Sequence, residues 1–313
     1  MLIIIEGPDC AGKTTLADRL QAEIERSTKE EVLRLSSGPP TGHPLDEYVV
    51  PLLGYRPATG AHIICDRLHW GEYVYPAVLN RPSSLDDAIF SYIEMFLLSR
   101  GAYVVSTNQP TSVLEKRMRE RGDDLIRPEQ LAAISAGYLA VEGKSMLPTT
   151  FRRGDVTQQG IEAIIGRASV LETVLRPLNK YTTYVGPRKP KRLLLGDVRG
   201  PAFQTDNPID KLRPAFMPYR SMSGAYLWKA MTRYPEPTVS TVGVANACDV
   251  DDPLHLWMTL GQPQVVTLGQ NARRCWKGLA DEAPHPQWVR RFHHNQVDDY
   301  HHQIMNGGAV TWN

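Results

Sequence analysis

The run Glu6-Gly7-Pro8-Asp9-Cys10-Ala11-Gly12-Lys13-Thr14-Thr15 follows the apolar residues Met1 to Ile5 without a break. Its spacing, G-x-x-x-x-G-K-[ST] between an apolar run and a helical pattern, is that of a phosphate-binding loop. Gly7 and Gly12 permit backbone angles and close approaches that a side chain would block. Gly7, Pro8, Cys10, Ala11, Gly12, Lys13, Thr14 and Thr15 form the candidate cradle, with loop and helix N–H groups aimed at phosphate oxygens. Lys13 would bring a point charge to the β- and γ-phosphates, and Thr14 a hydroxyl ligand for Mg²⁺. ATP and Mg²⁺ are therefore the expected cofactors.

Two further segments fit phosphoryl transfer. His62-Ile63-Ile64-Cys65 is an apolar strand ending in Asp66-Arg67, and Leu114 to Asp124 is rich in arginine. Phosphoryl transfer spreads negative charge over the moving group, so positioning and cations do most of the catalysis. Lys13, Arg117, Arg119 and Arg121 can supply that charge. Asp9 and Asp66 are candidates to orient or deprotonate an acceptor hydroxyl, and Asp66 is a second candidate metal ligand. Arg67 would hold an acceptor-side phosphate in a fork. The same residues also read as a helix cap at Asp66 and as i,i+4 surface pairs among the arginines.

These residues need a scaffold that gathers them. Strand signals at Glu30–Leu35, His62–Cys65 and Ala102–Ser106 alternate with helical ones at Leu16–Ile24, Thr111–Arg121, Pro128–Val141 and Gly160–Val174. That alternation predicts an α/β domain with a parallel sheet, its site beyond the carboxyl ends of the strands. Ser36 to Pro44 reads as a loop. At 313 residues, 42% hydrophobic and 22% charged, the chain suggests two ordinary globular domains. No apolar run is long enough to span a bilayer, and Met1 leads straight into the first strand. No leader and no membrane partner are expected, and a cytoplasmic location is (host cytoplasm if phage-encoded). Cys10, Cys65, Cys248 and Cys275 lack C-x-x-C spacing and read as reduced thiols.

The first 175 residues resemble thymidylate kinases. The loop from Glu6 to Thr15, with its acid at Asp9, is similar to that family's phosphate loop. Asp66-Arg67 is similar to its Asp-Arg motif, and Leu114 to Asp124 to its lid. The resemblance implies a nucleotide-monophosphate-kinase-like fold using ATP. Between Thr15 and Asp66, 51 positions apart, lie loop-like segments where the family builds its acceptor site, so that site is expected to be remodelled. Trp70, Tyr73 and Tyr75 are candidates to stack on an acceptor base, or to pack in the core.

A polar, basic, Pro-containing linker over 179–191 predicts a boundary between a kinase domain, 1–178, and a second domain, 192–313. From Leu178 on there are 16 Lys and Arg against 11 Asp and Glu, with five of the six Trp, which is compatible with nucleic-acid binding. The second domain repeats the α/β pattern, so the fold class is two parallel-sheet domains. Strands at Arg192–Leu195, Thr241–Ala245 and Gln264–Leu268 lead into Asp197, Asn246 and Gly269, and a His285-Pro286 loop follows. This order resembles the uracil-DNA glycosylase superfamily, which extrudes a nucleotide and holds its base. Arg199 and Gln287 depart from the pattern of the cleaving branches. The resemblance therefore implies recognition: Asn246 reading a base edge, Arg290 and Arg291 on phosphates, Asp197 and His285 near sugar or base. Plain structural roles for each stay open. The His293-His294 and His301-His302 pairs lack metal-site spacing.

A base-holding module joined to a kinase suggests an acceptor within DNA. The chain resembles phage kinases acting on 5-hydroxymethyluracil in DNA during thymine hypermodification, so DNA carrying a modified thymine base and a small-molecule nucleotide are the expected partners. Three alternatives stand beside this: a free deoxynucleoside-monophosphate kinase, a bifunctional kinase and DNA glycosylase, and an ATP-hydrolysing DNA-binding switch. The oligomeric state is not fixed by the sequence.

Overall fold

A computed structural model describes residues 1–53, 61–122, 126–178, 181, 183–197, 214–218, 222–233, 239–250, 252–307, 310 and 312. Contacts divide the chain into two compact units. The first comprises Met1–Tyr48, Tyr55–Leu85 and Arg100–Arg176, and the second Val49–Gly54, Asp86–Ser99 and Pro177–Asn313.

The first unit is built on β1 (Leu2–Glu6), β2 (Val32–Ser36), β3 (His62–Asp66), β4 (Ala102–Asn108) and β5 (Thr149–Arg153). All pairings are parallel and the order is β2-β3-β1-β4-β5. The apolar runs of β1, β3 and β4 are wholly buried, as strands covered on both faces must be. Helices α1 (Lys13–Thr28) and α7 (Gln158–Leu175) pack against this sheet. α1 turns Leu16, Ala17, Leu20 and Ile24 inward at helical spacing, onto Ile3, Ile5 and Ile64. The unit also contains α2 (Pro44–Tyr48), α3 (Trp70–Leu79), α5 (Thr111–Arg121) and α6 (Leu131–Lys144). β5 and α2 were not expected: β5 is short and half polar, and α2 begins at Pro44, inside a segment read as loop. Proline at the first helical position loses no hydrogen bond there.

The second unit holds a four-stranded parallel sheet, β6 (Arg192–Gly196), β7 (Val242–Asn246), β8 (Gln264–Leu268) and β9 (Asp281–Ala283), in the order β7-β6-β8-β9. Its helices are α4 (Asp87–Ser99), α8 (Met222–Met231), α9 (Pro253–Thr259), α10 (Gln270–Cys275), α11 (Pro286–Phe292) and α12 (Val297–Asn306). The place of α4 differs from the division at residue 178. This helix is buried on most of its circumference, and Tyr92 meets Trp228 of α8 edge-on at 5.1 Å. A helix apolar on nearly all sides settles where most of its surface is covered. None of the described helices is long and apolar enough to cross a membrane.

Candidate active site

β1 ends in Glu6, and the loop after it turns into α1 at Gly12, whose φ is +87°. Gly7 is required by space as well as by its φ of +143°. A Cβ there would lie 2.1 Å from the main-chain oxygen of Thr107, at the end of β4. Lys13 is buried under the loop, and its Nζ donates to Gly7 O at 2.7 Å and Pro8 O at 2.5 Å. Burial, and then the neighbouring Arg67, pull the Lys13 pKa down to about 8, against the raising effect of Asp9, Glu6 and Asp66. Glu6 Oε1 accepts from the N–H groups of Leu68 and Trp70, both at 3.0 Å, and so ties the exit of β3 to β1.

Thr14 Oγ1 donates to Asp66 Oδ2 at 2.7 Å. The other carboxylate oxygen of Asp66 is buried and has no hydrogen-bond partner among the described residues. A carboxylate oxygen left bare beside a hydroxyl is a strong site for a hard cation, so these residues fit Mg²⁺. Among the described residues no three His, Cys, Asp or Glu are grouped to hold a metal by themselves. Phosphate and water oxygens would have to complete the shell, as is usual for Mg²⁺.

Two cavities flank the loop. One, of about 520 Å³, is lined by Cys10 to Leu16, Arg19, Arg67, Thr107, Arg117, Arg121 and Gly154 to Val156. Arg117 reaches into it from α5, donating to Cys10 O at 3.3 Å and pairing with Asp155 at 3.2 Å. The second, of about 310 Å³, is lined by Asp9, Ser37 to Pro39, Arg67, Leu68, Gly71, Glu72, Tyr75, Leu79, Arg81, Arg121 and Ile126. Arg67 and Arg121 belong to both walls. Asp9 is gripped by Arg67 and accepts from Tyr75 Oη at 2.8 Å. Burial pushes the Asp9 carboxyl up, but Lys13, Arg67 and Tyr75 outweigh it and hold it below its ordinary value. Arg81 donates to both oxygens of the buried Glu72, at 2.5 and 3.3 Å, and Ser83 adds a third bond at 2.8 Å.

In the second unit, Asp197 follows β6, Asn246 ends β7 and His285 lies just past β9, on the carboxyl edge of one sheet. Asn246 donates its amide to Asp249 at 2.9 Å. His285 caps α11, accepting from Gln287 N at 3.3 Å; burial lowers its pKa, against Asp197. The ring of Phe216 lies 6.3 Å from that of His285. A Cβ on Gly196 would come within 2.3 Å of Phe216 and 3.0 Å of Asn246 Oδ1, so this glycine leaves room for both side chains. Arg290 and Arg291 are exposed on α11.

No protein-family model matches the chain. YorR, a protein derived from the SPbeta prophage of Bacillus subtilis (strain 168), is 30% identical over 151 residues. The matched region covers 47% of this chain and 86% of YorR. The chain belongs to the YorR family. The crystal structure of YorR in complex with phosphorylated GDP is 28% identical, covers 55% of this chain and 98% of YorR, and gives a TM-score of 0.45. Deoxyadenosine kinase from M. mycoides with bound dCTP is 20% identical over 54% of this chain and all of the kinase, with a TM-score of 0.33.

Some sequence expectations for this YorR-family chain need correction. Trp70 is fully buried in the first unit and cannot stack on a ligand. Tyr73 lies under the Lys144 ammonium, 4.3 Å from its ring centroid, whereas Tyr75, with its hydroxyl on Asp9, stays in the wall of the smaller cavity. Arg119 is mostly exposed, pairs with Glu115 at 3.8 Å and lines neither cavity. Cys248 and Cys275 are not separate thiols: they form a disulfide, with Cα atoms 5.6 Å apart. Asp123, Asp124 and Arg199 lie outside the described residues. Arg81, Asp155 and Phe216 carry no signal in the sequence. Each reaches its site through tertiary packing, and only the Gly154-Asp155 pair after β5 carries a local mark, a turn beyond a strand end.

Proposed function

We propose that the chain transfers the γ-phosphate of a nucleoside triphosphate to the hydroxymethyl group of 5-hydroxymethyluracil in DNA. The observation that carries the transfer is the pair of cavities sharing Arg67 and Arg121, with Asp9 beside Arg67 on the smaller side. A hydrolase needs room for water, whereas a transferase needs a second compartment for its acceptor. The donor triphosphate takes the larger cavity, over Lys13, Arg117 and the loop N–H groups. Thr14 and Asp66 would hold Mg²⁺, which when bound supplies positive charge to the phosphate oxygens.

The acceptor hydroxyl enters from the smaller cavity. Its oxygen forms a bond to the γ-phosphorus while the bond from that phosphorus to the bridging β-oxygen breaks, the nucleoside diphosphate leaves, and the hydroxyl proton is shed late to solvent. Asp9 accepts the hydroxyl's hydrogen bond. A carboxylate held below its usual pKa orients better than it deprotonates, which suits a loose transition state that loses its proton late. Arg67 and Arg121, reaching both sides, meet the charge spread over the moving group.

DNA as the acceptor is supported by the second unit. Phe216, Asn246 and His285 offer a ring face, an amide oxygen and an imidazole at one sheet edge, the kind of set that holds an extruded base. A second reading, a free deoxynucleoside-monophosphate kinase, is favoured by one observation: at about 310 Å³ the smaller cavity is of small-ligand size. Labelled γ-phosphate offered with Mg²⁺, in ATP or GTP, decides between them. Label on DNA containing 5-hydroxymethyluracil, and not on ordinary DNA, supports the first. Label on thymidylate or hydroxymethyl-deoxyuridylate alone replaces it with the second.

A further inference from the structure

α11 leaves the carboxyl edge of the second sheet at His285, the residue that caps it, and carries an aromatic pair on its surface. Trp288 and Phe292 stand one helical turn apart and are 40% and 65% exposed, while Val289 between them is buried. Their ring centroids are 6.0 Å apart. Trp288 is backed by His293 at 4.4 Å and Trp312 at 6.0 Å, so it is held in place before any ligand arrives. An aromatic face fixed in advance spends little entropy on binding.

The charge around this face selects the occupant. Between Pro284 and Val297 there is no Asp or Glu, and Arg290, Arg291, His293 and His294 lie within it. Both arginines are exposed beside the aromatic pair. Rings beside arginines also mark protein-docking faces, but a stretch of this length without a carboxylate favours a polyanion. A nucleic-acid strand uses both groups at once: its phosphates take the cations, and its bases stack on the rings. We infer that Trp288 and Phe292 form a base-stacking platform for a DNA strand, with Arg290 and Arg291 on its phosphates. The platform adjoins the Phe216, Asn246 and His285 group through His285, so it would grip the strand next to a base held there. This inference rests on the reading of DNA as substrate.

The test uses the full chain and fluorescence anisotropy of a labelled oligonucleotide, single-stranded and duplex, with and without 5-hydroxymethyluracil, across a salt series. Phe292→Ala is expected to weaken single-strand binding about 5- to 100-fold without changing the salt slope. Phe292→Trp restores it. Arg290→Ala with Arg291→Ala lowers the salt slope on duplex by about 2. Phe292 is exposed, so its variant keeps the wild-type melting temperature. Wild-type DNA affinity in Phe292→Ala overturns the platform. So does a wild-type dimer in sedimentation that Phe292→Ala converts to monomer with DNA affinity unchanged, since the face would then join two copies. Binding through this face with no phosphate transfer to modified DNA leaves the platform standing and removes the proposed function. Transfer to DNA with an unchanged KM in Phe292→Ala removes the platform alone.

Discussion

Replacing Lys13 by methionine separates the chemistry of the phosphate loop from its folding. The Nζ of Lys13 donates to two main-chain oxygens of the loop, at 2.7 and 2.5 Å, and is buried there. Those donors are the ones that would turn to the phosphates of a bound nucleotide. Two charge-assisted hydrogen bonds at about 1.5–3 kcal/mol each amount to roughly 3–6 kcal/mol of transition-state binding. At about 1.4 kcal/mol per factor of ten, kcat/KM for the donor should fall roughly 10²- to 10⁴-fold. Stability should change little, because the bonds lost at Gly7 O and Pro8 O are offset by removal of an ammonium that burial disfavours, while the hydrophobic stem stays packed. The assay is transfer of labelled γ-phosphate under Mg²⁺, beside a thermal melt of the same sample. A variant within tenfold of wild type would refute the assignment of Lys13 to the donor phosphates. Lost activity together with a lower melting temperature would show that the lysine holds the loop rather than the nucleotide.

Four other outcomes are expected. Activity on the donor should depend on pH: Lys13 carries its proton below about 8, so kcat/KM for the nucleotide should be level below that pH and decline above it. The sign for stability is opposite, since between about 8 and the ordinary lysine value of 10.5 the unfolded chain holds a proton that the folded chain has released, so this group favours folding more as pH rises through that window. Gly7→Ala forces a Cβ against Thr107 and should cost roughly 2–3 kcal/mol, seen as a melt lowered by about 5–10 °C with nucleotide binding lost. Chelation of divalent cations should abolish transfer, and Asp66→Asn should raise the Mg²⁺ concentration needed for half activity by about tenfold or more, measured by titration. Arg81→Gln should raise KM for the acceptor about tenfold and leave KM for the donor unchanged, read from initial rates with each substrate varied.

The phosphate loop was legible because one short segment carries all its constraints: glycine spacing, the lysine and the apolar run before it. Asp66 was legible for the same kind of reason, as a carboxylate at the end of a buried strand. Arg81 was not, because Glu72 holds it, and that pairing exists only once α3 and the loop after it are folded. Phe216 was not, because it lies in no strand or helix and is placed by Gly196 and His285. The disulfide escaped because its cysteines are 27 residues apart and share no motif spacing. The two parallel sheets followed from alternating periodicities, but the home of α4 did not. A helix this largely apolar reads the same whichever core receives it.

The chain passes between its two units five times, since Val49–Gly54 and Asp86–Ser99 belong with the residues after 176. The part that carries the phosphate loop and the part after it are therefore not beads on a string. Cutting the gene near codon 178 would strand α4, with Phe90, Tyr92, Ile93, Met95 and Phe96 stripped of the covering that buries them. Such a fragment would aggregate or misfold whatever its catalytic residues were doing, and its inactivity would say nothing about chemistry. Synthesis carries the same constraint: the first unit can close its sheet early, but the thirteen residues of α4 must wait for a sequence made more than a hundred residues later. Gain or loss of the second unit during evolution would likewise need changes at three places in the chain rather than one.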